Sequence, residues 1–470
     1  MKKFFYLMLV QLIMMNTVYT QALQVDSLYY LGDINKFINI VILGDGYTSS
    51  QQDRFRADAD DLTAYLFTQS PWAEYENYFN VFAIRVISAD SGATHPNTAS
   101  DCNTANPPVP VSDPDTYLKC SFDSYGIHRL VVPQNIANVV SVLADNFPAY
   151  DQVFILSNTP YYGGSGGDYA TSTLEQNSPE ISVHEIGHSF AGLADEYWAG
   201  DQYAAEKPNM TQESDPLLVK WKNWVGYQGV GVHQYCCGGN SALWYKPGDN
   251  ICKMEALGFP YCSVCKQQII ESIHALADPL VSYEPTMASI ISPERYLDFS
   301  ITELLEPIPN TLKITWNLDA GIIAKNIDSV RLDQDLLTDG PHTLAVTVTD
   351  TTSLLRVDNH ATLHFSTVSW IITKSAVQTA ITSTENKVAC SLYPNPANDL
   401  LNITVSTAKR EAISVMLTGT DGRILRYIEN NRQWSGPYER SVNVSDLPGG
   451  TYFIVFRIGD LVHTESFIKE

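Results

Sequence analysis

Ser178-Pro179-Glu180-Ile181-Ser182-Val183-His184-Glu185-Ile186-Gly187-His188-Ser189-Phe190-Ala191-Gly192-Leu193-Ala194-Asp195-Glu196-Tyr197 carries the start, the period and the stop of one short helix. Ser178 is a good N-cap, and Pro179 suits the first helical position, where its missing N–H leaves no bond unmade. Gly192 is a natural stop. At ~100° per residue, His184 and His188 stand one turn and ~40° apart, so both imidazoles reach a single point. Val183, Ile186 and Phe190 project from roughly the opposite side, which buries the helix and aims the histidines into a cleft. Glu185 lies beside the pair, within reach of a water held there but angled away from coordination. This is the His-Glu-x-x-His zinc-peptidase pattern. With ten histidines in 470 residues and glutamate at roughly 5%, about 0.01 chance matches are expected.

Two histidines need a third protein ligand to hold Zn2+ with one position left for water. If the chain turns at Gly192, Asp195 returns as metal ligand beside His184 and His188, with Glu196 the neighbouring alternative. If the helix continued instead, Asp195 would sit ~10 Å along the axis from His188. A glutamate arriving from a later segment, Glu206 or Glu213, is the other layout. Zinc would acidify bound water, and Glu185 is the expected catalytic base.

These residues, with Leu193-x-Asp195-Glu196-Tyr197 after them, resemble the IgA-peptidase family of secreted bacterial zinc metallopeptidases. Further segments fit: residues 42–47 (ILGDGY), 91–96 (SGATHP), Tyr162-Gly163-Gly164, Cys252-Lys253-Met254 and Cys262-Ser263-Val264-Cys265. The resemblance covers about residues 37–277 and implies a metzincin-like fold with Met254 in a turn beneath the zinc. One departure stands out: relative to the common metzincin spacing, position 194 is Ala and the glycine comes one residue late. Only about 15 residues separate the export signal from the first strand, so the N-terminal β-domain of many relatives is expected to be absent.

Outward from this core, the chain reads as α+β. Residues 37–43 (FINIVIL), 79–87 (FNVFAIRVI) and 152–156 (QVFIL) are buried-strand runs, and Ser49 with Gln52 has capping-box spacing before a helix. The expected catalytic domain spans 23–280. Residues 283–373 alternate Thr, Val and Leu with turns such as Thr338-Asp339-Gly340-Pro341, which predicts an Ig-like β-sandwich. After a Thr/Ser-rich linker, 388–470 reads as a small C-terminal β-sandwich. Its Leu392-Tyr393-Pro394-Asn395-Pro396 and Asp446-Leu447-Pro448-Gly449-Gly450-Thr451-Tyr452 resemble the C-terminal sorting domain of type IX secretion substrates, which implies the type IX secretion machinery as a partner.

Lys2 and Lys3, an apolar run to Met15 and small residues near Ala22 give residues 1–22 the order of a secretory signal peptide. The run is too short to span ~30 Å of hydrocarbon, and no later stretch is apolar enough to serve as a transmembrane segment. A secreted or cell-surface location follows. Export favours disulfides for the eight cysteines over a structural zinc at Cys262-x-x-Cys265, with Cys102 and Cys120 placed to close a loop. With 29 Lys+Arg against 52 Asp+Glu, a formal charge of −23 argues against nucleic acid as a partner.

The expected function is a secreted zinc endopeptidase acting on protein or peptide substrates. An adhesin or glycan-binding protein with an inactive first domain, and a zinc hydrolase of a non-protein amide, are the alternatives. Residues 163–173 read either as an upper rim against which a peptide lies or as a surface loop. Tyr197 and Tyr245 are candidates for stabilising the tetrahedral intermediate, and His95 reads as a surface or loop histidine.

Overall fold

The computed structural model describes residues 22–374, 390–420, 422–459 and 461–470. The signal peptide expected over 1–22, apart from Ala22, and the linker near 379–386 therefore lie outside the described residues. The chain divides into two compact units between Ala376 and Val377.

In the first unit, β1 (Val25–Tyr29), β2 (Ile38–Asp45), α1 (Gln52–Leu66) and β3 (Phe79–Ile84) come first. They are followed by a short ribbon of β4 (Cys120–Ser121) and β5 (Val132–Pro133), then α2 (Ile136–Asn146) and β6 (Gln152–Ser157). A small hairpin of β7 (Gly164–Ser165) and β8 (Ala170–Ser172) leads into α3 (Ser178–Ala191), and α4 (Ser263–Leu276) closes the series. One mixed six-stranded sheet runs β1-β3-β2-β6-β8-β7. Its four central strands are parallel, and β1 and β7 pair antiparallel at the edges.

The unbroken apolar run of β2 follows from this placement, because both its faces are covered. Ile38, Ile40 and Ile42 pack with α1, α3 and α4 in one cluster, while Val41 and Leu43 pack with Val139, Val142 and Leu143 of α2 in another. The sheet is thus the middle of three layers. The capping box lies one residue earlier than its sequence spacing suggests: the Thr48 N–H donates to Gln51 Oε1 (3.0 Å), on a single 3-10 turn that leads into α1.

Further along the same unit, Leu280–Glu284, Tyr296–Leu304 and Ser329–Asp333 form a three-stranded sheet. Ser289–Ile290, Phe365–Lys374, Gly340–Asp350, Leu312–Leu318 and Gly321–Lys325 form a five-stranded one. Inward residues of both make one core, in which the Trp316 and Trp370 rings stack 5.9 Å apart. A buried junction ties this region to the three-layer part. Asp350 accepts bonds from Tyr75 and from His274 Nε2 (3.0 Å), and its other oxygen takes the Thr311 hydroxyl (2.7 Å).

The second unit is a five-stranded, nearly closed antiparallel sheet around its own core. Its strands are Cys390–Tyr393, Leu400–Thr418, Ile424–Asn443, Gly450–Ile458 and Leu461–Lys469. The Pro-Asn-Pro turn has a structural task there. Asn395 donates to the Ser466 carbonyl (3.1 Å) and accepts from the Ile468 N–H (2.9 Å), stitching the first strand to the last. Among the described residues, no helix is long and apolar enough to cross a membrane.

Candidate metal centre

The helix α3 begins one residue before the expected cap boundary: Asn177 takes the cap position and Ser178 is already helical. Gly192 ends the helix at φ +64°, in the left-handed region that glycine adopts without strain. The Gly192 and Leu193 N–H groups fold back onto the His188 and Gly187 carbonyls (3.0 and 3.1 Å). That reversal is the turn the Asp195 reading requires.

Asn209 then fixes the returning chain. Its Oδ1 accepts from the Ala194 N–H (2.7 Å), and its Nδ2 donates to the Ala194 carbonyl (2.8 Å) and to Glu196 Oε1 (2.9 Å). Consecutive side chains of this extended stretch therefore point opposite ways. Asp195 Oδ1 lies 3.1 Å from His184 Nε2 and 3.3 Å from His188 Nε2, and the two Nε2 atoms are 3.2 Å apart. Glu196 turns away into a fully buried group with Cys252, Cys262 and Cys265. Glu206 pairs with Lys220 and Glu213 caps the Asp215 N–H, so neither joins the histidines.

Both imidazoles are oriented from behind. His184 Nδ1 donates to the Lys253 carbonyl (2.9 Å) and His188 Nδ1 to the Leu193 carbonyl (2.7 Å), which leaves both Nε2 lone pairs for the shared point. Close packing sets the depth of the helix. A Cβ at Gly187 would meet Met254 Sδ at 2.9 Å, and one at Gly166 would meet His188 at 2.6 Å. Met254 is fully buried under α3, and its carbonyl accepts the Glu196 N–H (2.7 Å).

The electrostatics follow the geometry. Burial opposes protonation of His188, but Asp195 and Glu185 outweigh it and hold the imidazole up at about 9. His184 is raised by the same carboxylates against the same burial. Burial pushes Asp195 up, yet bonds from both histidines bring it well below the usual carboxylate range. Glu185 is shifted upward by burial, with the two histidines pulling the other way. Its Oε2 lies 3.9 Å from His188 Nε2.

Of the tyrosines singled out, Tyr197 stands by the site. Its ring is 6.4 Å from that of His184, and its hydroxyl accepts from Arg129 Nη2 (2.8 Å). Tyr245 is held by backbone bonds with Thr211 on a separate two-stranded ribbon. Residues 163–173 contain the β7–β8 hairpin, which packs beside the site with Gly166 against His188. At Gly164, however, the outer edge is already paired: its N–H donates to the Arg129 carbonyl (3.0 Å) and its carbonyl accepts from Val131 (3.3 Å). Sequence reading missed Arg129, Asn209 and the two orienting carbonyls, because nothing local to those positions marks them.

The cysteines depart from expectation. All eight are unbridged. Cys120 is buried on β4, where its N–H donates to Asp45 Oδ2 (2.8 Å), while Cys102 faces Asp123 (3.3 Å), so the two do not close a loop. Cys252 and Cys265 lie with their sulfurs 3.6 Å apart beside Glu196.

Residues 27–234 match the family described as IgA Peptidase M64, and residues 391–470 match the Secretion system C-terminal sorting domain. The two matches fall in separate parts of the chain, one in each compact unit. The peptidase match ends before the Met254 and cysteine segments that also suggested the resemblance. No curated protein matches the chain.

Among solved structures, OgpA from Akkermansia muciniphila aligns over 93% of each chain at 10% identity and a TM-score of 0.23. A mixed-linkage glucan utilization locus protein of Bacteroides ovatus, SGBP-B, aligns over 40% of this chain and 47% of its own at 12% identity and 0.16. Latent PorU from Porphyromonas gingivalis aligns over 40% and 20% at 13% identity and 0.16. The chain thus spans less than half of either of the last two, and at these scores none of the three bears on fold or function.

Proposed function

We propose that this chain is a secreted zinc-dependent endopeptidase. In this reading residues 23–280 form a metzincin-like catalytic domain, residues 283–373 an Ig-like sandwich, and 388–470 a tail that directs type IX secretion. The observation that carries it is the convergence of His184 Nε2, His188 Nε2 and Asp195 Oδ1 at 3.1–3.3 Å from one another. Bonds of ~2.1 Å from one zinc ion place tetrahedral ligand atoms ~3.4 Å apart, and three protein ligands leave one position open. The donor set and its spacing therefore fit Zn2+.

Bound zinc would supply Lewis acidity toward the scissile carbonyl and toward a water molecule. The residues do the rest. The Lys253 and Leu193 carbonyls hold the imidazoles as neutral Nε2 donors. The Glu185 carboxylate, whose pKa burial raises, takes a proton at Oε2 and returns it to the leaving amine nitrogen. Tyr197, its hydroxyl anchored by Arg129 and its ring stacked 6.4 Å from that of His184, is the candidate for stabilising the tetrahedral intermediate. The family match supports a peptide substrate, and the sorting domain supports export. Cleavage of a peptide library by the purified chain, abolished by a chelator and restored by zinc, tests the reading. A folded, metal-free protein without cleavage would refute it.

A further inference from the structure

A second buried cluster lies in the long loop region between β3 and α2, where His95, Cys102, Asp123 and His128 bring one ligand atom each to within 4.8 Å of one another. We propose that these four residues form a closed structural site for a divalent transition metal of the zinc class, separate from the cleft at α3.

The loop is built to present these atoms. His95 is pinned by paired backbone bonds with Ser112 (2.8 and 3.1 Å), and its Nδ1 donates to the Pro110 carbonyl (3.0 Å). That bond places the proton on Nδ1 and leaves Nε2 a bare lone pair. The ring is 2% exposed, and Nε2 has no hydrogen-bond partner although it lies 3.6 Å from Asp123 Oδ1. A lone pair facing a carboxylate oxygen in a buried site calls for a cation between them.

Asp123 divides its oxygens accordingly. Oδ2 accepts the Thr98 N–H (2.7 Å), while Oδ1 meets His128 Nδ1 (2.8 Å), Cys102 Sγ (3.3 Å) and His95 Nε2 (3.6 Å). These separations bracket the ~3.4 Å edge of a tetrahedron with ~2.1 Å bonds. Phe122 stacks on His128 and meets His95 edge-on, an apolar wall on one side. With two imidazoles, a thiolate and a carboxylate, all four positions come from protein, as in structural sites. Binding releases the Cys102 thiol proton to solvent.

The placement also gives the site a task. His128 immediately precedes Arg129, which bonds Tyr197 and the Gly164 N–H at the rim of the α3 cleft. An ion here fixes the root of that segment.

Metal content of the full-length chain tests this. After dialysis against a weak chelator, Cys102→Ala should hold one metal equivalent fewer than wild type, His184→Ala one fewer, and the double variant two fewer. Loss in Cys102→Ala but not in His184→Ala would leave this site standing and remove the catalytic one. A Cys102→Ala protein with the full wild-type complement overturns the proposal. Should the variant fail to fold, the wild-type chain decides: Cys102 should resist iodoacetamide until a strong chelator is added. Equal alkylation with and without chelator means the cluster is held by a proton alone, and the proposal fails.

Discussion

The two histidine–carboxylate clusters of the first unit differ in how they are assembled and in how far they face water. Around α3, the side chains of His184, His188 and Asp195 are 10%, 17% and 20% exposed, and the proposed scheme has three protein ligands where a tetrahedral ion needs four. In the β3–α2 loop, the side chains of His95, Asp123 and His128 are 2%, 1% and 6% exposed, and Cys102 supplies a fourth ligand. An open position and a wet face suit chemistry, whereas a filled shell suits anchoring. Within this comparison, the first cluster should control turnover and the second should control only order.

The sharpest way to break that division is at Glu185, which belongs to the first cluster yet binds no ion in the proposed scheme. Glu185→Gln should lower kcat by ~10²–10⁴-fold, the ordinary contribution of a positioned proton-transfer group, with metal content unchanged. Peptide turnover alongside elemental analysis reads both. A variant that keeps near-wild-type kcat would mean the proton moves through another residue.

Asp195→Ala tests which of two adjacent acids completes the open cluster. It should weaken the metal by at least tenfold, ~1.4 kcal/mol, in a competition titration with a chromophoric chelator. Glu196→Gln should leave the affinity of that centre unaltered, because Glu196 is turned toward Cys265 and Asn209. The reverse pattern would exchange their roles. The pH dependence has a defined sign. His188 holds its proton up to about pH 9 in the metal-free chain, so the ion must displace protons below that pH, and affinity should rise from pH 6 to 9.

Arg129→Met probes the link between the clusters. It removes a bond of the charge-assisted kind, worth ~2 kcal/mol, from Tyr197. Turnover should fall by about 10- to 100-fold while both metals remain bound. An unchanged rate would make Tyr197 a bystander.

The contrast also explains what the sequence could and could not convey. The histidine pair and the turn that follows it are contained in residues 184–195, on one helix and its stop, so periodicity, Pro179 and Gly192 were enough to read them. The layered sheet was legible for a similar reason: the apolar run of β2 can only be a strand buried on both faces. His95 and His128 gave no such signal. They lie 33 positions apart among Pro, Asp and Ser, where no period applies, and the loop's tertiary bonds, Thr94 with Cys120 and Phe122 and Asp123 with Thr98 and His128, bring them together. Of the two readings of His95, surface or loop, the loop one stands, and the ring is buried there. The choice of Asp195 over Glu196 depended on Asn209, whose role is set by tertiary contact alone.

A third histidine–carboxylate pair serves as the control for both. Asp350 is fully buried against His274, but every oxygen is satisfied: Tyr75 and His274 bond one, Thr311 and the Thr352 N–H the other. No lone pair is stranded there, so this pair should bind no ion and act on stability only. Burial raises the Asp350 carboxyl, yet the bonds from His274, Tyr75 and Thr311 bring it down to about 2. A folded pKa below the unfolded ~3.9 means that the stabilisation is present in full above about pH 4 and is lost as pH falls through 2. The size is roughly 2–3 kcal/mol. Urea unfolding of wild type and Asp350→Asn should therefore differ by about that amount at pH 6 and converge near pH 2, with identical metal content at pH 6. A gap that persists undiminished at pH 2 would show that the aspartate acts through packing rather than charge. A metal equivalent lost in Asp350→Asn would undo the distinction between satisfied and stranded lone pairs on which the second site rests.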